Sequence, residues 1–255
     1  MSGSAEPQLS AHDQCEAFVD HVLQDVNTVQ FLVRSINELR PESSPLTRRN
    51  IKCVSFRPVG SSADAEAPKE DAVLPGSSSA IKSGMSRPNS GTSTPKPTHS
   101  PRMQEVQRAQ AGYVWWPTTS DVKRGDIILK EEDMTSVVMT ERNLRHELVH
   151  AYDDARGTIE PSDCLHHACS EIRAARLSGD CFVGEELRRG RFDPLRSGMQ
   201  CVRRRATMAV ENNPVCRGFS DRSVERVFHR CYNDYEPFTA PIYTMGSYGK
   251  DRFEL

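Results

Sequence analysis

Two histidines four positions apart, His146 and His150, lie in a segment that runs from residue 140 to residue 156, and Glu147 follows the first of them. In an α-helix, residues i and i+4 share a face, so both imidazoles can reach one metal ion. This H-E-x-x-H pattern on a helix is typical of zinc hydrolases, in which the histidines bind Zn²⁺ and the glutamate acts on the attacking water. The motif therefore predicts a helix, a zinc site and hydrolytic chemistry in one segment.

The neighbouring residues support a helix at this place. No Gly or Pro interrupts the segment before Gly157, and apolar residues recur on one side of it. These are Val137, Val138, Leu144, Leu148, Ala151, Tyr152 and Ala155. The alternative is a solvated helix on which two histidines and a glutamate occur by chance and bind nothing.

A catalytic zinc site usually has three protein ligands and one open position, so a third ligand has to be found. The extended motif that adds a glycine and a third histidine is absent, because Asp153 and Arg156 stand at those places. Residues 162–177 are predicted as a second helix that stops near Gly179. Glu171 lies at the edge of its buried stripe. We predict Glu171 as the third ligand, because a second helix supplies the glutamate in metalloproteases with a His₂Glu site.

Two other histidines compete with Glu171 for the third position. His167 is one turn before Glu171 on the same strip of the helix, so it is predicted to bind the metal, to line the cleft or to hold Glu171 in place. His166 points about 140° away from Glu171 on a regular helix, so it can bind only if the helix breaks. Without a metal, Glu171 would form a salt bridge with an arginine. The candidates for that salt bridge are Arg145, Arg173 and Arg176.

Asp153 and Asp154 follow His150 on nearly the same helix face. We predict that they accept the free imidazole N–H of a metal ligand, as carboxylates do beside many zinc-bound histidines. The alternative is a surface pair with Arg156. For the group that stabilises the oxyanion, the sequence offers candidates without a choice among them. They are His229, Tyr232 and Tyr235.

The chain also resembles a known family, chiefly over its C-terminal part. The resemblance is carried by the runs RHELVHAYDDAR, LHHACSEIRAARLSGDC, CVRRRA and CYNDYEPF, and more weakly by the segments around Cys15 and Cys53. They are similar to the mitochondrial metalloproteases of the intermembrane space, associated with the inner membrane, that process and help to assemble ATP synthase. In vertebrates this family is also named Ku-binding protein. The resemblance implies His146 and His150 as zinc ligands and Glu147 as the catalytic acid and base.

The resemblance implies a zinc-dependent endopeptidase with Zn²⁺ as its cofactor. The expected substrate is the precursor of a mitochondrial membrane subunit. The expected partners are the inner-membrane surface, met peripherally, and the factors that assemble the Fo part of ATP synthase. Two alternatives remain, which are a non-enzymatic assembly chaperone with a structural zinc site and a nuclear DNA-repair partner. The net charge of −2 and the lack of a basic localisation tract disfavour nucleic acid as a partner.

The chain departs from this family at two cysteine positions. The family typically has C-x-x-C where this sequence reads C-V-S-F from Cys53, and L-C-Q-N where it reads L-K-E-E from Leu129. If the two missing cysteines normally bond to each other, their joint loss is explained.

The cysteines and the N-terminal residues bear on localisation. The eight cysteines lack the spacing of a structural zinc site, and their even number permits four disulfides. Composition alone favours a cytosolic protein with free thiols, but the resemblance favours disulfides and the intermembrane space. No secretory signal is visible and no Lys or Arg precedes Arg34, so no cleavable presequence is evident. No apolar run is long enough to span a bilayer, so we expect a protein peripheral to the inner membrane.

We predict one α+β domain, mostly helical and zincin-like, with a small sheet and a long insert. Residues 57–111 are rich in Ser, Pro, Gly, Thr, Ala and Lys. They are predicted to be disordered, because so few large apolar side chains cannot offset the ordering entropy. Residues 1–56 are assigned to the N-terminal helices and first strand, and residues 112–255 to the catalytic region.

Periodicity predicts further elements around the metal helix. Residues 15–39 are predicted as one long helix or two short ones. The other predictions are strands at 51–56, 112–116 and 126–130 and helices at 201–211 and 220–235. A strand edge beside the metal helix would hold an extended peptide by backbone hydrogen bonds.

Overall fold

The computed structural model describes residues 9–56, 110–116, 121–157, 159–182, 186–187, 190 and 197–239. The predicted disorder of residues 57–111 lies outside this part of the chain, except for Gln110 and Ala111. Ala111 is the first residue of a strand.

The described residues form six α-helices and three short strands, which confirms a mostly helical α+β architecture. The helices are α1 (Ala11–Asp25), α2 (Asn27–Leu39), α3 (Val137–Arg156), α4 (Cys164–Leu177), α5 (Ser197–Asn212) and α6 (Ser220–Tyr232). The strands are β1 (Ile51–Val54), β2 (Ala111–Tyr113) and β3 (Ile127–Lys130). Residues 15–39, predicted as one long or two short helices, form two, because Val26 is extended between α1 and α2.

The three strands form one sheet in the order β1–β3–β2. β1 runs parallel to β3, with Ile51 opposite Ile127, and β2 runs antiparallel to β3, with Ala111 opposite Leu129. All three strands are shorter than predicted, and β2 lies at one edge of the sheet and packs against α3. An edge strand beside the motif-bearing helix is therefore present, while the zincin-like fold itself remains a prediction.

Two hydrophobic clusters meet at the contact between α3 and α4. The first combines α1, α2, the sheet and α3, and it includes Leu144 and Leu148 of α3. The second combines α4, α5 and α6, and it includes Ile172 of α4. α4 contributes to both clusters, because Ala174 faces the first and Ala175 faces the second. The two helices that carry the predicted metal ligands are therefore held from both sides.

All eight cysteines form disulfides, so the expected disulfides are present. The pairs are Cys15–Cys53, Cys164–Cys216, Cys169–Cys231 and Cys181–Cys201. The first joins α1 to β1, and the other three join α4 or the residues after it to α5, to α6 or to the segment between them. Cys53 therefore has a partner although its C-x-x-C neighbour is absent.

Among the described helices, none is long and apolar enough to cross a membrane.

Candidate metal centre

The H-E-x-x-H motif lies in the middle of α3, as predicted, although the helix begins a few residues earlier than the predicted segment. The Oγ atom of Ser136 caps its first turn by accepting a hydrogen bond from the backbone N–H of Met139. His146 and His150 lie on the side of the helix that faces α4, with their ring centroids 5.0 Å apart. The side chain of His150 is almost completely buried. The two imidazoles therefore face the protein interior rather than solvent.

The second helix, α4, brings Glu171 to the same point. Asp163 is its N-cap and accepts hydrogen bonds from the backbone N–H groups of Leu165 and His166. One Oε atom of Glu171 lies 3.7 Å from Nε2 of His146, and the other lies 3.6 Å from Nε2 of His150. Among the described residues, the partners of Glu171 are histidines and not the arginine of the alternative prediction.

These three side chains fit a zinc ion. One ligand atom from each of His146, His150 and Glu171 lies within 4.8 Å of the others. Zn–ligand distances of about 2.0–2.1 Å in a tetrahedron put neighbouring ligand atoms about 3.3 Å apart, so a small closure of the group would suffice. No other such group of histidine, cysteine and carboxylate side chains occurs in the described ranges. Three protein ligands leave one position of the tetrahedron open, as a catalytic site requires.

His146 is oriented by a carboxylate that the sequence did not reveal. Oδ2 of Asp180 lies 3.1 Å from Nδ1 of His146, which directs Nε2 towards Glu171. Asp180 is only 4% exposed, and it also pairs with Arg205 at 2.8 Å and with Arg142 at 3.5 Å. A carboxylate on the second nitrogen of a metal-binding histidine selects the tautomer and holds the ring in place.

His150 is oriented by a hydroxyl group. Oγ of Ser170 lies 2.7 Å from Nδ1 of His150 and donates to Asp153 over 3.1 Å. Asp153 is in turn held by the buried Arg173, whose Nε donates to Asp153 over 2.8 Å. Asp153 therefore supports a histidine, as predicted, but it does so through Ser170 rather than by direct contact.

Glu147 is buried beside the metal-binding group, and this burial changes its acidity. Removal from water raises the pKa of Glu147 to about 7; the positive charge of His146 opposes the rise and the negative charge of Glu171 adds to it. A backbone hydrogen bond from Tyr113 of β2 also lowers this pKa. Glu147 therefore lies against the edge strand and has the acidity of a group that can exchange protons near neutral pH.

The two histidines have opposite electrostatic environments. Burial lowers the pKa of His150 to about 3, so its imidazole is neutral. Burial also lowers the pKa of His146, but the hydrogen bonds that its imidazole donates to Asp180 and Glu171 outweigh this effect and raise the pKa to about 10. A metal that binds Nε2 of His146 must therefore displace a proton, as metal binding to histidine generally does.

Of the remaining predicted residues, His167 contacts Glu171. The described contacts of His166 and Asp154 do not include His146, His150 or Glu171. Nε2 of His167 lies 3.3 Å from Oε1 of Glu171, and Nδ1 lies 3.0 Å from the side-chain nitrogen of Asn213. His166 is exposed and accepts a hydrogen bond from the backbone N–H of Glu160. Asp154 accepts from the hydroxyl of Tyr113 and pairs with an arginine, so its described bonds do not reach a histidine.

The three oxyanion candidates have other described contacts. Tyr232 stacks on Phe228, Tyr235 accepts a hydrogen bond from Arg176, and His229 is exposed. The indole ring of Trp115 lies closer to the site, 6.0 Å from the ring of His150 between centroids. From the sequence, only its place within the predicted strand at 112–116 could have suggested this.

Comparisons with known proteins show which family the chain belongs to. The peptidase M76 family matches residues 13–239 of the chain. The mitochondrial inner membrane protease atp23 of Schizosaccharomyces pombe is 41% identical over 115 residues, which are 44% of this chain and 62% of that protein. The ATP23 protease of Mycosarcoma maydis is 39% identical over 44% of this chain and 53% of its own length. A homologue named ATP23 in Xenopus laevis is 38% identical over 46% of this chain and 51% of its own length.

The match thus spans less than two thirds of the length of each of these relatives. No solved structure matches the chain. The family match, in contrast, extends over both hydrophobic clusters and all four disulfides. The chain belongs to the peptidase M76 family.

Proposed function

We propose that this chain is a zinc-dependent endopeptidase. The observation that carries the proposal is the convergence of His146, His150 and Glu171 at a spacing that fits one Zn²⁺, with the carboxyl group of Glu147 buried beside them. A purely structural zinc site has no need of a titratable carboxyl group next to its ligands. Membership of a peptidase family supports a peptide bond as the bond that is cleaved.

The side chains of the site have distinct tasks in hydrolysis. A zinc ion held by the three ligands would supply a Lewis acid that lowers the pKa of water and polarises the scissile carbonyl. Glu147 takes a proton from the attacking water and then donates it to the leaving amine. Burial raises the pKa of Glu147 above its usual range, which suits a carboxyl group that has to accept a proton and return it.

The edge of β2 is the proposed binding place for the polypeptide substrate. β2 pairs with β3 on one side, and the backbone of Tyr113 bonds to Glu147. A substrate strand added along this edge would gain backbone hydrogen bonds and would pass next to the catalytic carboxyl group. Trp115 would then form a wall of the cleft beside His150.

The names of the relatives support the proposed location at the mitochondrial inner membrane. Proteins that match this chain are named mitochondrial inner membrane proteases. We propose that this chain acts in the intermembrane space at the inner-membrane surface, that it cleaves the precursor of a membrane subunit, and that it assists ATP synthase assembly. Its four disulfides are compatible with an oxidising compartment, in which such bonds persist.

The substitution Glu147→Gln tests the catalytic proposal. The amide cannot accept a proton, and general-base catalysis typically contributes about 10²–10⁴-fold to the rate. We expect the variant to keep its zinc and its melting temperature and to lose cleavage by this factor, while Glu42→Gln at an exposed position retains full activity. Both variants should be introduced into cells that lack their own protease of this family, with precursor processing and ATP synthase assembly measured separately.

Two outcomes would change the proposal. Unaltered cleavage by Glu147→Gln would exclude this residue as the acid and base. Restored ATP synthase assembly without processing would show that the chain also acts as an assembly chaperone and that this activity is independent of hydrolysis.

A further inference from the structure

The segment between α5 and α6 exposes apolar side chains on a well-anchored backbone. Val215 is 61% exposed and Phe219 is 62% exposed. The disulfide Cys164–Cys216 ties this segment to the start of α4. The carboxylate of Glu211 accepts hydrogen bonds from the backbone N–H of Gly218 and the hydroxyl of Ser220. The exposure of these two apolar side chains is therefore imposed by the fold around them.

Three arginines follow this segment along one face of α6. Arg222, Arg226 and Arg230 are spaced four residues apart, so they form a single stripe on the helix, and all three are exposed. Within the described part of the chain, none of the three forms an ion pair. Two carboxylates, Asp221 and Glu225, are adjacent to the stripe in sequence, and Glu225 pairs with Arg203 of α5.

Phe219 of the apolar segment and two arginines of the stripe, Arg222 and Arg226, border the same groove. This groove has a volume of about 260 Å³ and is shallow. It is lined by Cys164, Leu165, Phe219, Arg222, Ser223 and Arg226. One continuous surface thus combines an exposed aromatic ring with positive charge, although the net charge of the whole chain is −2.

We propose that this surface, formed by Val215, Phe219 and the stripe of Arg222, Arg226 and Arg230, docks the protein on an anionic lipid bilayer. The inference rests on the proposed function at the inner membrane and identifies the face that meets the membrane. An aromatic ring at the level of the lipid headgroups and arginines against their phosphates are the contacts that hold peripheral proteins on anionic bilayers.

Charge complementarity selects the bilayer as the partner. Three arginines without carboxylate partners among the described residues lose little by contact with phosphates, because no existing ion pair has to be broken. The basic run Arg203–Arg205 is different. Each of its arginines already pairs with a carboxylate of the chain. The partners are Glu225, Glu186 and Asp180.

The docking surface lies close to the metal centre. The side chain of Asn213, two residues before Val215, lies 3.0 Å from Nδ1 of His167. His167 in turn contacts Glu171 over 3.3 Å. Docking through this surface would therefore keep the candidate metal site near the headgroups, where the polar segments of a membrane subunit emerge.

Flotation of the purified protein with vesicles tests the proposal. The vesicles are made of phosphatidylcholine alone or of phosphatidylcholine with phosphatidylglycerol. We expect binding to the anionic vesicles only, with a loss of binding as salt is raised. One arginine near an anionic surface strengthens partitioning by about fivefold, so Arg222→Ala with Arg226→Ala should weaken it by about 25-fold. Phe219→Ser should weaken it by about tenfold even at higher salt, since the lost contact is apolar.

A matched control separates the effect of where the arginines lie from the effect of the total positive charge. Arg34→Ala with Arg49→Ala removes the same charge from exposed positions of the N-terminal half and should leave most of the binding. Equal loss in both double variants, or equal binding to neutral and anionic vesicles, would overturn the proposal. So would a dimer that Phe219→Ser dissociates, or a rise in KM for a soluble peptide in the stripe variant without vesicles. These results would assign the surface to a second copy or to the polypeptide substrate.

Vesicle binding needs neither zinc nor Glu147. A failure of the protease proposal therefore leaves this test intact, and a failure of docking leaves hydrolysis of soluble peptides intact. Unchanged melting temperatures of the variants ensure that the folded proteins are being compared.

Discussion

Replacement of Asp180 tests whether a buried carboxylate controls the affinity of the candidate metal site. Asp180 contacts Nδ1 of His146 and also pairs with Arg205 and Arg142. Asp180→Ala removes the acceptor that keeps Nε2 of His146 directed towards Glu171. A contact of this kind to a metal ligand is typically worth about 10–100-fold in metal affinity, which corresponds to about 1.4–2.7 kcal/mol.

The same substitution also affects stability, so the two effects have to be separated. Removing one partner of a buried ion pair costs about 3–5 kcal/mol. For the pair with Arg205 the cost is at the lower end of this range or below it, because the side chain of Arg205 is 38% exposed and can turn to solvent. The pair with Arg142 adds to the cost, because the side chain of Arg142 is only 10% exposed. Arg205→Gln breaks the same pair but leaves Asp180 on His146. Asp180→Asn keeps an oxygen that can accept from Nδ1–H of His146. We therefore expect zinc affinity to fall in the order wild type, Arg205→Gln, Asp180→Asn, Asp180→Ala.

The assay is competitive zinc titration against a chelator, together with urea unfolding and nitrogen-15 spectra of the histidine side chains. In the wild type, Nδ1 of zinc-bound His146 should carry the proton, and in Asp180→Ala this signal should broaden or shift. The reasoning is refuted if Asp180→Ala binds zinc like the wild type. It is refuted equally if Arg205→Gln loses as much affinity as Asp180→Ala, because Asp180 would then act only through the stability of the fold.

Two further predictions concern the third ligand and the disulfides. Glu171→Ala should abolish tight zinc binding, whereas His167→Ala should weaken it only about 10–100-fold, because His167 touches Glu171 from the side. Zinc titration of both variants decides this, and the opposite ranking would make His167 the ligand. Loss of the Cys15–Cys53 disulfide, which closes a separation of 38 residues, should lower the free energy of unfolding by about 3–4 kcal/mol. Zinc affinity should not change, since this bond joins α1 to β1, and a loss of zinc would show coupling between the two clusters.

The motif-bearing helices could be predicted from local sequence because their signals are local. A spacing of four residues is enough to put His146 and His150 on one helix face. The capping residue Asp163 and the stripe of small and apolar residues likewise mark α4 and the side of it that carries Glu171. The meeting of both helices at one point depends on their packing, so the sequence could favour Glu171 as the third ligand but could not exclude His167.

The strands were predicted in the right places, but their arrangement was not. β1 pairs with β3 across a long intervening segment, and β2 pairs with β3 in the opposite direction. Alternating apolar residues predict that a strand is present, but they do not predict which strand it pairs with. The pairing of the cysteines could not be predicted from the sequence either, because eight cysteines permit 105 pairings.

The groups that orient the two histidines show most clearly where sequence reasoning stops. On a helical wheel Asp153 and Asp154 were equally good candidates, yet only Asp153 faces α4, where Ser170 connects it to His150. Asp154 lies one step further round the helix, and its contact is with Tyr113 of β2. A helical wheel shows in which direction a side chain points, but it does not show which helix or strand packs on that side. Asp180 was missed for the same reason, because Gly179 marks the end of α4 but does not reveal that the chain then turns back towards His146.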